Sequence, residues 1–185
     1  MSAVELRRWT RDEYDRMIDA GIFAPDERVE LIDGEILHVY PQDSLHATGV
    51  SLALKALTVA FRKGFEVRPR LSLALDPRSQ PEPDIAVVRG SARDYRDHHP
   101  ETAVLVVEVA DFSLTFDQEP KASVYARAGI ADYWIVNLVD QRLEVYRNPA
   151  PDRDGYSTGG RYERGESVAP LAAPESPIRV ADLLP

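Results

Sequence analysis

The sequence predicts a mixed α/β (α+β) fold in which helices flank a mixed central sheet. Two apolar runs, Ile85–Val88 and Ala103–Val109, have the length and the β-branched content of buried strands. One helical pattern precedes these runs at Leu45–Lys63, and a second follows them after Asp117. A further strand pattern comes after the second helix. The order helix, strands, helix, strand is typical of a sheet packed against helices.

The composition is that of a globular protein, and its 185 residues predict a single domain over residues 1–185. A chain of this length buries about 70% of the surface that it exposes when unfolded. The sequence has no apolar run near the roughly 20 residues that span a bilayer, so we expect no membrane partner. The N-terminal segment lacks the apolar core of a signal peptide, and a chain without cysteine fits a cytoplasmic protein.

The absence of cysteine also excludes disulfides, thiolate nucleophiles and zinc–thiolate sites. The formal net charge of −9 argues against tight non-specific binding of nucleic acid, which favours a basic face. It is compatible with a local basic patch or with an acidic cleft that holds a metal ion.

The N-terminal part predicts one helix and one hairpin. Thr10 and Glu13 have the spacing of a capping box, and the helix is expected to end at Gly21. Arg28–Tyr40 contains two short alternating runs around Asp33-Gly34, which is a strong hairpin signal.

The long helical pattern Leu45–Lys63 has Ser44 as its predicted N-cap, and Gly64 is expected to end it. The next segments, Phe65–Arg70 and Leu71–Leu75, are predicted as two strands or as one bent hairpin.

A second helix is predicted between the apolar runs and the C-terminal strands. Asp117 is its expected N-cap, Pro120 lies in its first turn, and Gly129 is its expected end. Beyond it, Asp132–Val136 and Arg142–Arg147 predict another hairpin.

Each of the two apolar runs carries a carboxylate, Asp84 at the start of the first and Glu108 near the end of the second. Two carboxylates on neighbouring strands could hold Mg²⁺, which takes one or two protein carboxylates together with water and substrate oxygens. Such an ion polarises a phosphate and lowers the pKa of a bound water. Alternatively, Asp84 ends a loop and Glu108 makes a buried salt bridge. Unpaired acids are seldom buried, so the two together favour a functional site.

Lys121 is the third candidate because it shares a predicted helical face with Val124, Tyr125 and Ala128, the face that should meet the core. A lysine on that face is best explained by an acidic partner inside the protein. It could orient a water and offset charge that develops on phosphoryl oxygens. The alternative is a lysine whose amine reaches solvent from the first turn.

Three stretches that contain these residues closely resemble the Uma-two family of restriction endonucleases, a branch of the PD-(D/E)-x-K nuclease superfamily. They are PEPDIAVV, VVEVADFSLTFDQEPK and VYARAGIADYWIVNL. The resemblance extends to VELIDGEI near the N-terminus, to His46 and to the closing pattern VAPLAAPESPIRVADLL. It therefore covers nearly the whole chain.

The superfamily motif is an acid on one strand and an acid-x-lysine on the next. Asp84 and Glu108 match the two acids, but Ala110 stands where the lysine usually lies. Lys121 matches the lysine that this family carries on the following helix. The resemblance implies a restriction-endonuclease-like α-β-β-β-α-β core, here with an added N-terminal helix and hairpin. It also implies a Mg²⁺ (or Mn²⁺) cofactor and DNA as the substrate.

Three further residues are candidates for the same site. Glu30 matches the first glutamate of the family and either joins the acid cluster or pairs with an arginine across its hairpin. His46 could contact phosphate or a site water, although a solvent-facing or packing role is favoured. Asp111 could support the site from the loop after Glu108.

The candidates for phosphate contact are four cations within nine residues, Arg62, Lys63, Arg68 and Arg70. A solvated surface is the favoured alternative for this cluster.

The function that the sequence predicts is a metal-dependent endonuclease that cleaves DNA with a metal-activated water. The alternatives are a nuclease-fold module that binds nucleic acid or a protein without cleaving, and a hydrolase of small phosphodiesters. A homodimer would present two sites to two strands, but no segment predicts an interface.

Overall fold

The fold is built on a six-stranded sheet. A computed structural model describes residues 5–39, 43–153 and 155–185. Its strands are β1 Val29–Ile32, β2 Glu35–His38, β3 Phe65–Pro69, β4 Ile85–Arg89, β5 Leu105–Ala110, β6 Asp132–Asn137, β7 Arg142–Ala150, β8 Gly155–Tyr162, β9 Ser167–Val168 and β10 Ile178–Arg179. Strands β3 to β8 form the central sheet in chain order, whereas β1–β2 and β9–β10 form two small antiparallel pairs.

Helices lie on both faces of this sheet. They are α1 Arg11–Asp19, α2 Ser44–Ala60, α3 Leu114–Phe116 and α4 Ala122–Arg127, with a π-helical segment at Asp117–Lys121 (the π turn) and 3-10 helices at Ala92–Tyr95, Pro151–Arg153 and Val180–Asp182. Within the described ranges, no helix is long and apolar enough to cross a membrane.

The central sheet is mixed, as predicted. Strands β5 and β6 pair in parallel, and the other neighbours pair antiparallel. Parallel neighbours need a long crossover, and here it runs through α3, the π turn and α4. In the β4–β5 ladder Ile85 is opposite Val107. The residues that adjoin this pair, Asp84 and Glu108, are thereby brought side by side.

Two apolar cores cover the two faces of the sheet. On one face, Leu57 of α2 belongs to a cluster with Val107 and Trp134. On the other face, Tyr125 of α4 packs with Val106 and other side chains of the sheet. Because successive strand residues alternate between faces, Glu108 points to the same side of β5 as Val106. The sequence of β5 therefore directs the carboxylate toward α4.

Several local predictions are confirmed. Thr10 and Glu13 form a capping box at the start of α1, and Gly21 adopts a positive φ of 65° after its end. Strands β1 and β2 form the predicted hairpin around Asp33-Gly34. Its predicted last residue, Tyr40, lies outside the described residues.

The predicted boundaries of α2 were wrong. Asp43, not Ser44, is the N-cap, and its side chain accepts a hydrogen bond from the backbone of His46 at 2.9 Å. The helix ends at Ala60 because Phe61 turns to an extended conformation. The Phe61 ring is buried in the core and packs edge-on against Phe65, with centroids 5.2 Å apart.

The segment Leu71–Leu75 does not form the second strand that one of the two interpretations predicted. Arg70 adopts a positive φ of 49°, which turns the chain out of β3. The segment is held instead by irregular bonds, among them one from the backbone amide of Leu73 to the carbonyl of Pro81 at 3.0 Å.

Asp117 is not the N-cap of the second helix, contrary to prediction. The helical run already begins at Leu114, and Asp117 opens the π turn. Its carboxylate accepts a hydrogen bond from the Ser113 hydroxyl at 2.5 Å and is almost completely buried. Pro120 lies inside this run. A proline removes one backbone donor and clashes with the preceding turn, which explains the wider π turn. Lys121 consequently does not lie in a first helical turn.

Candidate active site

Two hydrogen bonds join the strand ends that carry Asp84 and Glu108, and each runs from a backbone amide of one strand to the side-chain carboxylate of the other. The backbone amide of Asp84 donates to Oε2 of Glu108 at 3.1 Å, and the amide of Val109 donates to Oδ2 of Asp84 at 3.0 Å. Both residues are buried, at 7% and 3% exposure. The adjacent strands therefore hold the two carboxylates in a fixed mutual position at the end of the β4–β5 ladder.

Lys121 reaches this pair from the π turn. Its Nζ lies 3.1 Å from Oε1 of Glu108 and 3.4 Å from Oε1 of Glu30, and Oδ1 of Asp117 is 4.0 Å away. Burial alone lowers the pKa of Lys121, but the charges of Glu108, Glu30 and Asp117 outweigh it and hold the pKa well above its ordinary value. Lys121 is therefore a buried, charged hydrogen-bond donor.

Glu108 is surrounded by donors and by other acids. Burial raises its pKa, the Lys121 charge opposes this, and the charges of Asp84 and Glu30 raise it further. The Tyr125 hydroxyl donates to Oε1 of Glu108 at 2.7 Å. The sequence pattern placed Tyr125 on the core-facing side of its helix and predicted no bond to Glu108. Its position four residues after Lys121, on the same helical face, was the signal for a shared partner.

Glu30 enters the cluster from β1. Its Oε2 accepts a hydrogen bond from the backbone amide of Glu82 at 3.1 Å, while Oε1 faces Lys121. Its cross-strand neighbour in the hairpin is Leu37. Among the ion pairs of the described residues, Glu30 is therefore joined to Lys121 and not to an arginine across the hairpin.

His46, in the first turn of α2, is buried beside Asp84. Its Nε2 lies 3.3 Å from Oδ1 and 3.2 Å from Oδ2 of Asp84, and its Nδ1 lies 3.8 Å from Oδ2 of Asp111. Burial lowers the pKa of His46, but the hydrogen bond and charge of Asp84, together with the charge of Asp111, raise it above its ordinary value. The histidine therefore links Asp84 to Asp111, and it does not face solvent.

The four cations predicted as one phosphate-contacting cluster are separated. Nε of Arg70 lies 3.8 Å from Oδ1 of Asp84, so this side chain is at the site. Arg68 instead lies over the ring of Tyr95 at 5.3 Å. Arg62 lines a second cavity near the C-terminal segment, and Lys63 is exposed just beyond α2. Strand β3 and the turn before it direct these side chains to different surroundings, and contact of these cations with phosphate stays a prediction.

Arg70 has a buried Nε without a hydrogen-bond partner among the described residues, and the same holds for Arg68. An unpartnered buried donor is costly. The positive charge of Arg70 lies beside the carboxylate of Asp84, with Nε 3.8 Å from Oδ1.

A cavity of about 570 Å³ opens onto these residues. Its acidic lining residues are Glu30, Asp43, Glu82, Asp84, Glu108, Asp111 and Asp117. Lys121 and His46 also line it, and Phe112 and Phe116 contribute aromatic surface. The sequence pattern did not predict a role at this site for Glu82 or for either phenylalanine. The segments that form this cavity are far apart in the chain, and no local pattern marks them.

Comparison with known proteins gives the family. The model of the Uma2 (Uma-two) family, described as "Putative restriction endonuclease", matches residues 11–180. The chain belongs to this family. The match confirms the resemblance stated from the sequence and indicates a restriction-endonuclease-like nuclease.

A solved structure supports the fold. It is the crystal structure of a "putative nuclease belonging to DUF820" from Anabaena variabilis, which is 16% identical to this chain. The match covers 94% of this chain and 96% of the other, with a TM-score of 0.71. No curated protein matches the chain. The nuclease-like α+β fold predicted from the sequence is thereby confirmed.

The site of this Uma-two chain offers mainly oxygen donors to a divalent ion. No group of three histidine or acidic side chains in the described ranges is arranged as a metal-ligand set. Asp84 and Glu108 are the two carboxylates that the sequence predicted as ligands, and Mg²⁺ takes one or two carboxylates from a protein. Burial and neighbouring acids raise the pKa of Asp117 and of Glu108, so the protein's own cations leave repulsion in the cluster. A hard divalent cation fits this oxygen-rich, under-neutralised site.

Proposed function

We propose that this chain is a divalent-cation-dependent endonuclease that hydrolyses phosphodiester bonds of DNA. The observation that carries the proposal is the convergence of Asp84, Glu108 and Lys121 in one cavity. Glu108 bonds both to the backbone of Asp84 and to the amine of Lys121. Glu108 thus links the other acid and the lysine of this family's motif through hydrogen bonds.

Asp84 and Glu108 are the proposed ligands for Mg²⁺ or Mn²⁺. Such an ion supplies Lewis-acid polarisation of the phosphate and lowers the pKa of a water molecule. The backbone amides of Asp84 and Val109 fix the two carboxylates before any ligand arrives. This preorganisation reduces the reorganisation needed at the moment of reaction.

Lys121 acts in this proposal as a donor. Because its pKa is raised well above the ordinary value, it remains protonated and is unsuited to act as a base. Its ammonium group would orient the attacking water and offset negative charge that develops on the phosphoryl oxygens. Glu30 holds the ammonium from a second side, and the charge of Arg70 lies beside Asp84. Ala110 does not need to supply a lysine because Lys121 reaches the same carboxylate from the π turn.

The test is a cleavage assay with Mg²⁺ or Mn²⁺ on plasmid DNA and on a single-stranded oligonucleotide. Asp84→Asn should lower the cleavage rate at least about 100-fold, since it removes a ligand and leaves the shape of the side chain. The matched control is Asp97→Asn, because Asp97 is highly exposed and pairs with Arg96. It should cleave like the wild type.

Three results would contradict the proposal. Wild-type cleavage that Asp84→Asn retains would show that the reaction occurs elsewhere or comes from a contaminant. DNA binding without cleavage would assign the chain to the non-cleaving modules. Turnover restricted to small phosphodiesters would replace DNA as the substrate.

A further inference from the structure

Phe112 lies at the rim of the acidic cavity and is 96% exposed. The other large exposed hydrophobic side chains of the described residues are aliphatic. Single exposed apolar residues are common on protein surfaces, so exposure alone carries no meaning here. What distinguishes Phe112 is its place: it follows Glu108 by four residues, and a second aromatic ring, Phe116, lines the same cavity.

The loop that carries Phe112 is anchored on both sides. The carbonyl of Ala110 accepts a hydrogen bond from the backbone amide of Leu138 at 2.8 Å, and the carboxylate of Asp111 accepts one from the amide of Phe112. After the ring, the Ser113 hydroxyl donates to Asp117 at 2.5 Å. The ring therefore projects into solvent from a fixed backbone, at a defined position relative to the carboxylates.

The charge of the cavity limits what can hold a DNA strand there. The chain has a net charge of −9, and seven of the residues that line the cavity are acidic. Arg28, which also lines it, is already paired with Glu82 at 3.3 Å. Affinity that comes from neutralising phosphates needs many cations, so this cavity needs a contact that does not depend on charge. Stacking of a base on an aromatic ring is such a contact and is sequence-tolerant.

We infer that Phe112 stacks on an unpaired base close to the cleaved phosphate, and that the cavity takes a single-stranded segment of DNA in preference to intact duplex. This inference rests on the proposed function and narrows its substrate. Inside a duplex the faces of each base are covered by its neighbours, so away from the duplex ends only an unpaired base can offer a face to the ring. The cavity has a volume of about 570 Å³, the size of a small-ligand pocket, which suits a segment of one strand better than a duplex.

The test measures affinity without turnover, by fluorescence anisotropy with Ca²⁺ in place of Mg²⁺. The probes are a labelled single-stranded oligonucleotide, the same sequence as a blunt duplex, and a set of single strands with one abasic position each. Phe112→Ala should weaken single-strand binding about 5- to 150-fold, the range expected for one stacked base. Phe112→Trp should restore it. The control, Val59→Ala, removes an exposed side chain that is not part of this cavity and should bind like the wild type.

The abasic set identifies the contact directly. In the wild type, one abasic position should lower the affinity for the single strand by a similar factor. In Phe112→Ala, the same abasic position should leave the affinity unchanged. Since the ring is almost fully exposed, the variant should keep the wild-type melting temperature.

The outcomes separate this inference from the proposed function. Cleavage by the wild type together with equal single-strand affinity for wild type and Phe112→Ala overturns the inference alone. An abasic scan with no sensitive position does the same. A wild type that neither binds nor cleaves DNA overturns both. A concentration-dependent dimer that Phe112→Ala abolishes, with DNA affinity unchanged, would assign the ring to a contact between two chains.

Discussion

Lys121 illustrates how burial gives a single residue its chemical role. A charged amine in a protein interior costs several kcal/mol unless it is paired, and here Glu108 and Glu30 lie within 3.4 Å of it. The same pairing keeps the amine protonated. The carboxylates in turn depend on the amine, because burial raises the pKa of Glu108 and the Lys121 charge opposes that rise.

Replacing Lys121 should therefore affect both stability and activity. Lys121→Met keeps the aliphatic stem but leaves buried acids without their cation, so the free energy of unfolding should fall by about 3–5 kcal/mol at pH 7. Cleavage should fall at least about 100-fold. Urea unfolding and the plasmid assay measure the two effects. Lys63→Met, at an exposed position, is the matched control. If the two variants are equally stable, Lys121 is not a buried charged residue that the surrounding acids require.

At the level of elements, the π turn is what brings Lys121 to the site, and strand β7 holds that turn. The side-chain amide of Gln118 donates to Oε2 of Glu144 at 2.9 Å. Glu144 is buried and also accepts hydrogen bonds from Asn137 and Tyr146, each at 2.8 Å. This carboxylate therefore connects the crossover between β5 and β6 to the neighbouring antiparallel strand.

The Glu144 network predicts an acid-sensitive contribution to stability. Burial raises the pKa of Glu144, but hydrogen bonds from Asn137, Gln118 and Tyr146 outweigh it, and the pKa lies below the ordinary value of 4.5. A lowered pKa in the folded state stabilises the protein above the unfolded pKa, and this contribution is lost as the pH falls through the folded pKa. Glu144→Gln should cost about 1–3 kcal/mol at pH 7.

The difference between wild type and Glu144→Gln should narrow as the pH falls below 4.5, the ordinary value. Chemical denaturation at a series of pH values measures it. Glu101→Gln, at an exposed position, is the control. The stability difference between wild type and Glu144→Gln could instead stay constant down to acid pH. That result would show that the network does not stabilise the ionised form of Glu144.

For the whole molecule, the site is a meeting point of segments that are distant in the sequence. Hairpin strand β1 supplies Glu30, the start of α2 supplies His46, and the β4–β5 pair supplies Asp84 and Glu108. All of them line one cavity together with Lys121. In a chain whose net charge is −9, this concentration of acid opposes the compact state. An ion held there would therefore stabilise the fold as a whole.

Mg²⁺ should accordingly raise the melting temperature of the wild type. Ligand at 100 times its dissociation constant stabilises a protein by about 2.7 kcal/mol. A magnesium titration followed by differential scanning calorimetry should show this rise for wild type and for Asp97→Asn. The rise should be lost in Asp84→Asn. An equal rise in Asp84→Asn would place the ion elsewhere on the acidic surface.

Local physics allowed much of the fold to be predicted from the sequence. The capping box of Thr10, the hairpin turn at Asp33-Gly34 and the apolar runs of β4 and β5 depend on neighbours within a few residues. For the same reason the sequence identified Asp84 and Glu108, since a carboxylate in an apolar run is visible without coordinates. Their proposed catalytic roles stay predictions.

The tertiary structure decided which side chains meet. Asp117 has the spacing of a helix cap, yet Pro120 and the Ser113 contact place it in a π turn beside Lys121. Arg68 and Arg70 lie two residues apart, but Arg68 packs on Tyr95 and Arg70 reaches Asp84. Caps and apolar periods are set by short-range hydrogen bonds and burial within one segment. The cavity depends on strand register and on how the helices pack across the sheet. These long-range contacts bring together residues that are far apart in the sequence and share no local pattern.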